Sequence, residues 1–221
     1  MKAHAFRFAS EVVALAAALG VVGVSGFRYL SRPRDANRSP YRIAQWESYL
    51  SGAILAGDAR AHVTIVEFAD FQCPYCQEMA KALKAVASDN EGAVRIVFRN
   101  LPLSIHRYSR AAALAGACAD AVGMFSPLHD GLFARQDSIG RTPWAVLAAD
   151  AGIADTASFA RCVRDSVFVA RVVNDQHDAQ RLGIHATPTL LIDGWNIGSN
   201  PENLRTWLDK ELRERRRPQV R

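Results

Sequence analysis

The chain has little cysteine, little methionine and few aromatic residues: 4 Cys, 3 Met and 9% Phe, Trp and Tyr in 221 residues. Four cysteines are too few to build a disulfide-held miniprotein, so their placement matters more than their number. No internal repeat and no low-complexity tract occurs. With 49% hydrophobic and 22% charged residues, a wholly disordered or collagen-like chain is excluded. Excess positive charge is missing where a nucleic-acid reader would need it. The net charge is +5, but the first forty residues carry six basic and two acidic residues, and residues 205–221 carry seven and three. The body between them holds 14 basic and 17 acidic residues. A nucleic-acid-binding domain concentrates basic charge on its folded body, so no such partner is expected.

Only one long apolar run is present. Val12–Phe27 has 16 uncharged residues after Lys2, Arg7 and Glu11. That falls between the core of a signal peptide and a full membrane span. Residues 1–30 are therefore read as a membrane anchor or a cleaved signal, with a buried core helix as the third alternative; the first two readings place the body outside the cytoplasm. Residues 31–57 are expected to be a linker, residues 58–214 the folded domain, and residues 215–221 a solvated basic tail.

In the body, 62–69 is a β-branched apolar run that predicts a buried strand. The motif Cys73-Pro74-Tyr75-Cys76 follows. A helical pattern comes next, with Met79, Leu83 and Val86 on one face, and then a second strand at 94–99. Strand, helix and strand in about 40 residues predict a βαβ unit. About four helices are expected across 108–182, broken at Gly123, Pro127, Gly140–Pro143 and Gly152. Short strands at 190–193 and 195–198, around an Asp193-Gly194 turn, and a closing helix at 201–213 complete the reading.

A Cys-x-x-Cys at a strand-to-helix junction suits thiol–disulfide exchange. Its first sulfur sits where helix N–H groups stabilise a thiolate, and its second lies one turn away. Half of a zinc site is the other reading, but Cys118 and Cys162 are far apart in sequence and form no close ligand pair. Glu67, on the strand face of Val63 and Ile65, is either a buried acid or a strand-end residue reaching solvent. Asp70 reads as a turn or capping residue. His185 is a candidate neighbour of the active sulfur. Phe125, Leu128, Leu132 and Phe133 read as core of the helical segment.

Three separated motifs now stand in order: Glu67-Phe68-Ala69-Asp70-Phe71-Gln72-Cys73-Pro74-Tyr75-Cys76, Arg99-Asn100-Leu101-Pro102-Leu103 with His106, and Gly183-Ile184-His185-Ala186-Thr187-Pro188-Thr189. Together they resemble the DsbA-like thiol–disulfide oxidoreductases, exported bacterial proteins, over roughly residues 45–214. Ala186 departs from the Gly often found before the Thr-Pro. The resemblance implies an α/β thioredoxin fold with an all-helical insertion between the βαβ unit and the cis-Pro strand. It implies a cis Thr187–Pro188 bond packed against Cys73, with that loop holding substrate by strand-like pairing. It also implies Cys73 as nucleophile, Cys76 as resolving thiol, Glu67 as a proton relay and a structural Cys118–Cys162 disulfide. Pro74 and Tyr75 tune the potential. The partners implied are substrate proteins with thiols or disulfides and a quinone-linked membrane protein. The chain is expected to be a monomer, with no cofactor and no metal. Two rivals stay open: a reductase or isomerase of the same compartment, and a redox-inert binding module or chaperone on the same scaffold.

Overall fold

The computed structural model describes residues 40–216, so the apolar run Val12–Phe27 and the end of the basic tail lie outside the described residues. Six strands form one sheet: β1 (Tyr41–Arg42), β2 (Ala53–Ala56), β3 (Val63–Ala69), β4 (Val94–Asn100), β5 (Thr189–Ile192) and β6 (Trp195–Gly198). Their order is β1-β6-β5-β3-β4-β2. Only β3 and β4 run parallel, in register from Val63 opposite Val94 to Ala69 opposite Asn100. Their crossover is α1 (Pro74–Asp89), as a parallel pair requires.

β3 forms because a β-branched run suits a strand buried on both faces. On one face Val63 and Ile65 pack with Met79, Leu83 and Val86 of α1 and with Leu204, Leu208 and Leu212 of α7 (Pro201–Arg216). Met79 and Leu83 are fully buried, and each contributes roughly 1.5–3 kcal/mol. On the other face Val66 and Phe68 pack with Val97, Leu191 and Ile184. The β5–β6 hairpin turns through Asp193 and Gly194, both at positive φ (44° and 85°), the backbone that a tight two-residue hairpin demands.

Five helices fill the insertion: α2 (Ser109–Ala121), α3 (Phe125–Ala134), α4 (Trp144–Asp150), α5 (Thr156–Arg164) and α6 (Val169–Arg181). The expectation of about four is corrected at two points. Pro127 does not break a helix. It is the third residue of α3, where a missing N–H costs no intrahelical bond. The unexpected break falls at Ser166, which adopts positive φ (54°) between α5 and α6. Phe125, Leu128, Leu132 and Phe133 are buried core.

The expected linker through residue 57 is also corrected. Tyr41–Arg42 pairs with β6 and Ala53–Ala56 pairs with β4, so this stretch supplies both edge strands. Gly52 lets the chain lie against β4, because a Cβ there would collide with the Phe98 carbonyl. Strands of two and four residues carry no alternation to read. Among the described residues, no helix is long and apolar enough to cross a membrane.

Candidate active site

The C-terminal ends of parallel β3 and β4 and the start of antiparallel β5 meet at one end of the sheet. Three loops converge there, one from each sequence motif. The first runs from β3 into α1. Cys73 is the N-cap of α1 in extended backbone, and Pro74 is the first helical residue. The cysteines are unbridged and both are buried, while Pro74 and Tyr75 between them are exposed, Tyr75 at 69%. The third loop arrives through a cis Thr187–Pro188 bond. It sets the Thr187 carbonyl oxygen 3.4 Å from Cys73 Sγ, where it accepts from the sulfur only while Cys73 is protonated.

The two sulfurs differ sharply. Cys73 is held down to about 5, chiefly because the Cys76 thiol hydrogen-bonds its sulfur. Burial opposes this, and the Thr187 side chain and the backbone N–H groups of Cys76 and Tyr75 reinforce it. Burial pushes the Cys76 thiol far up, and donating to Cys73 and sitting near Glu67 push it the same way. The backbone N–H of Asp70 donates to Cys76 Sγ at 3.5 Å. One sulfur is a thiolate at neutral pH and the other is a thiol.

Glu67 is fully buried and neither carboxyl oxygen has a hydrogen-bond partner among the described residues. Burial first, and then the Cys73 charge, push it up to about 8. The strand-end reading is thereby excluded. His185 is exposed and takes no part in the polar contacts of Cys73.

The second motif works as a clamp. Asp70 accepts from the Gln72 N–H through Oδ1, and from the Leu103 N–H and His106 Nδ1 through Oδ2, all at 2.8 Å. It is a turn residue that also ties the loop after β4 to the cysteine loop. Below it, buried Arg99 donates to Asp175 and Asp178 of α6 and, at 2.7 Å, to the Tyr49 carbonyl. Asn100 donates to Asp175 through its backbone N–H (2.8 Å) and its side chain (3.0 Å). The insertion is thus bonded to β4 directly beneath the site.

Gln136 was not foreseen. Its amide nitrogen donates to the Phe71 and Cys73 carbonyls at 2.9 and 2.8 Å. It lies between α3 and Gly140, in a polar stretch with no periodic signal to single it out. Cys118 of α2 and Cys162 of α5 are joined by a disulfide with Cα atoms 6.2 Å apart. That bond is within the insertion, in a helical cluster with Phe159 and Met124. Among the described residues no group of three or more metal-ligating side chains gathers.

A thioredoxin fold with a thiolate-forming Cys-x-x-Cys at a helix N-terminus defines a thiol–disulfide oxidoreductase. The chain belongs to the thioredoxin family, whose model, described as Thioredoxin, matches residues 50–210. Within it, the chain is of the DsbA-like kind. BdbD from Bacillus subtilis, solved in the oxidised form, is 25% identical, with a TM-score of 0.65 over 73% of this chain and 93% of that one. DsbA2 from Pseudomonas aeruginosa is 28% identical, with a TM-score of 0.60 over 76% and 96%. Curated sequences named Na(+)/H(+) antiporter NhaA also match. That of Salinispora tropica is 31% identical over 191 residues, 86% of this chain. The chain spans only 27% of that relative's length.

Proposed function

We propose that the protein is an extracytoplasmic dithiol oxidase that gives disulfides to substrate proteins through Cys73 and Cys76. The observation that carries this is the asymmetry of the two sulfurs. A substrate thiolate attacks Cys73 Sγ in the Cys73–Cys76 disulfide, and the bond between the two breaks. The electron pair stays on Cys76, which takes a proton from Glu67. A second substrate thiolate then attacks the substrate sulfur of the mixed disulfide. Cys73 leaves as a thiolate, a good leaving group because its pKa is low. The substrate is oxidised by two electrons and the protein is reduced by two.

The edge at Thr187 and Pro188 is the surface against which a substrate strand pairs. Pro74 and the exposed Tyr75 set the neighbourhood of the thiolate. Cys118–Cys162 is structural in this scheme. A quinone-linked membrane protein reoxidises the pair, and Val12–Phe27 keeps the domain at the membrane or directs its export. The chemistry needs no cofactor or metal, and a monomer suffices.

The test is the reduction potential of Cys73–Cys76, obtained by equilibration in glutathione buffers and mass analysis of alkylated thiols. Cys118 and Cys162 are followed separately. A value near about −120 mV is expected for a disulfide donor. A value near about −270 mV, that of thioredoxin, would make the protein a reductase.

A further inference from the structure

One buried titratable group is unused by this scheme. His129 of α3 is 1% exposed and sits in a cage of four aromatic rings. Its centroid lies 6.0 Å from Phe71, 5.4 Å from Phe98, 5.7 Å from Phe125 and 4.9 Å from Phe133. An imidazole in an aromatic core costs stability unless it is satisfied. Its Nδ1 reaches Asp130 Oδ1 at 3.1 Å, and Asp130 in turn pairs with Lys84 at the surface. Its Nε2 is buried with no partner among the described residues.

Phe98, whose ring abuts His129, is the residue directly opposite Glu67 in the β3–β4 register. Strand alternation puts Glu67 and Phe98 on the same face of the sheet. Two buried polar groups without protein partners, the Glu67 carboxyl and His129 Nε2, therefore flank one aromatic side chain. His129 also lines a cleft of about 80 Å³ with Ile96, Leu83, Ser126, Asp130 and Lys84. That space is large enough for water on the Lys84–Asp130 side of His129, and Glu67 and Phe98 do not line it. The Lys84 side chain in its wall is 72% exposed.

We propose that His129 connects Glu67 to solvent, making Glu67–His129–Asp130 the proton path that serves Cys76. This rests on the oxidoreductase reading above. Glu67 is fully buried, yet it must change protonation in each cycle. After it has given a proton to Cys76, it regains one before the reduced protein settles, and it loses that proton again before Cys76 can be deprotonated for reoxidation. On the outward step the Glu67 proton passes through bridging water to Nε2. The imidazolium is held by the Asp130 carboxylate, and a proton leaves at the cleft. The inward step is the reverse. The groups facing His129 fit this traffic. Burial lowers its basicity, Asp130 on its own helix opposes that, and Lys84 of α1 adds to the lowering. Imidazolium is then a passing state at neutral pH. His129 touches no reacting sulfur and acts through Glu67.

The experiment uses the full chain with His129→Phe, which keeps a ring in the aromatic cage. Single-turnover oxidation of a dithiol peptide and reoxidation by glutathione disulfide are followed from pH 5 to 9, in water and in deuterium oxide. Wild type, His129→Phe, Glu67→Gln and the double variant are compared. His129→Phe is expected to slow reoxidation, in which Glu67 must first lose its proton, at least about tenfold at pH 7, below the effect of a group that touches the reacting atoms because His129 acts through Glu67. It should also lose the deuterium slowing shown by wild type and cost nothing further in the Glu67→Gln background. If His129→Phe does not fold, His129→Gln carries the same expectations. Wild-type rates, pH profile and deuterium effect in the variant would overturn the proposal. So would an equal slowing in the Glu67→Gln background, which would show His129 acting apart from Glu67. A wild-type protein that oxidises no dithiol peptide would instead remove the parent reading, and this path with it.

Discussion

The Cys73 thiolate makes a prediction that joins titration, stability and potential. In the folded reduced protein Cys73 ionises at about 5, against an ordinary thiol value of 9.0. A folded value below the unfolded one means that the unfolded chain binds more protons between the two. The resulting stability of the reduced form is fully present above pH 9 and is lost as pH falls through 5. Four units correspond to at most about 5 kcal/mol, and solvent screening at a sulfur beside exposed Pro74 and Tyr75 reduces this to about 2–3 kcal/mol. The oxidised protein has no Cys73 thiolate and gains none of it. The stability of the reduced form relative to the oxidised form should therefore rise by about 2–3 kcal/mol between pH 5 and 9. For a two-electron couple that is about 45–65 mV toward a stronger oxidant. Urea unfolding of both forms across this range, with Cys118–Cys162 kept intact and checked by mass, measures the gap. Ultraviolet absorbance of the thiolate measures the titration. A thiolate that titrates near 9, or parallel pH profiles for the two forms, would refute the reasoning.

Glu67 has the opposite sign. Its folded value of about 8 lies above its ordinary 4.5, so stability falls as pH rises through that window. Glu67→Gln should unfold later than wild type at pH 8, by up to about 4 kcal/mol, with no gain below pH 4.5, and its Tm against pH checks this. Replacing both Cys118 and Cys162 by Ala opens a link spanning 44 residues and should cost up to ~4 kcal/mol in denaturant unfolding, while peptide oxidation by Cys73 persists. Arg99→Met leaves two carboxylates buried or nearly so and should cost about 3–5 kcal/mol, read by calorimetry. Gln136→Ala frees the Phe71 and Cys73 carbonyls. It should cost about 1–3 kcal/mol, with faster hydrogen exchange in residues 71–77.

Much of the site was legible because its chemistry is local. The Cys73–Cys76 spacing, the Pro74 at a helix start and the β-branched run before it are all read within about fifteen residues. The sheet centre was legible for the same reason, since β3 and β4 are apolar and continuous. What stayed hidden depends on distant partners. Tyr41–Arg42 is a strand only because β6 is there to pair with it. Gln136 matters only because α3 delivers it to two carbonyls more than sixty residues earlier in the chain. The break at Ser166 has no glycine or proline to announce it. Asp70 could be seen as a turn former, yet its second oxygen binds a loop some thirty residues away.

These long-range bonds explain why the insertion belongs to the site rather than merely sitting beside it. A thiolate at Cys73 is useful only if the loop carrying it keeps its N-cap backbone, because the stabilising N–H groups of Tyr75 and Cys76 must stay aimed at the sulfur. Gln136 fixes the carbonyls of that loop from the insertion side, and Asp70 fixes it from the β4 side. Arg99 and Asn100 lock β4 to α6, so the Asp70 clamp rests on the insertion as well. Loosening any of these contacts spreads the distances between sulfur and donor and moves the Cys73 pKa upward. The thiolate titration therefore reports on the insertion as directly as on the Cys-x-x-Cys itself. Gln136→Ala should raise the Cys73 midpoint while leaving both cysteines in place, and an unchanged midpoint would show that the Cys76 thiol and the helix N-terminus hold the thiolate without help from the insertion.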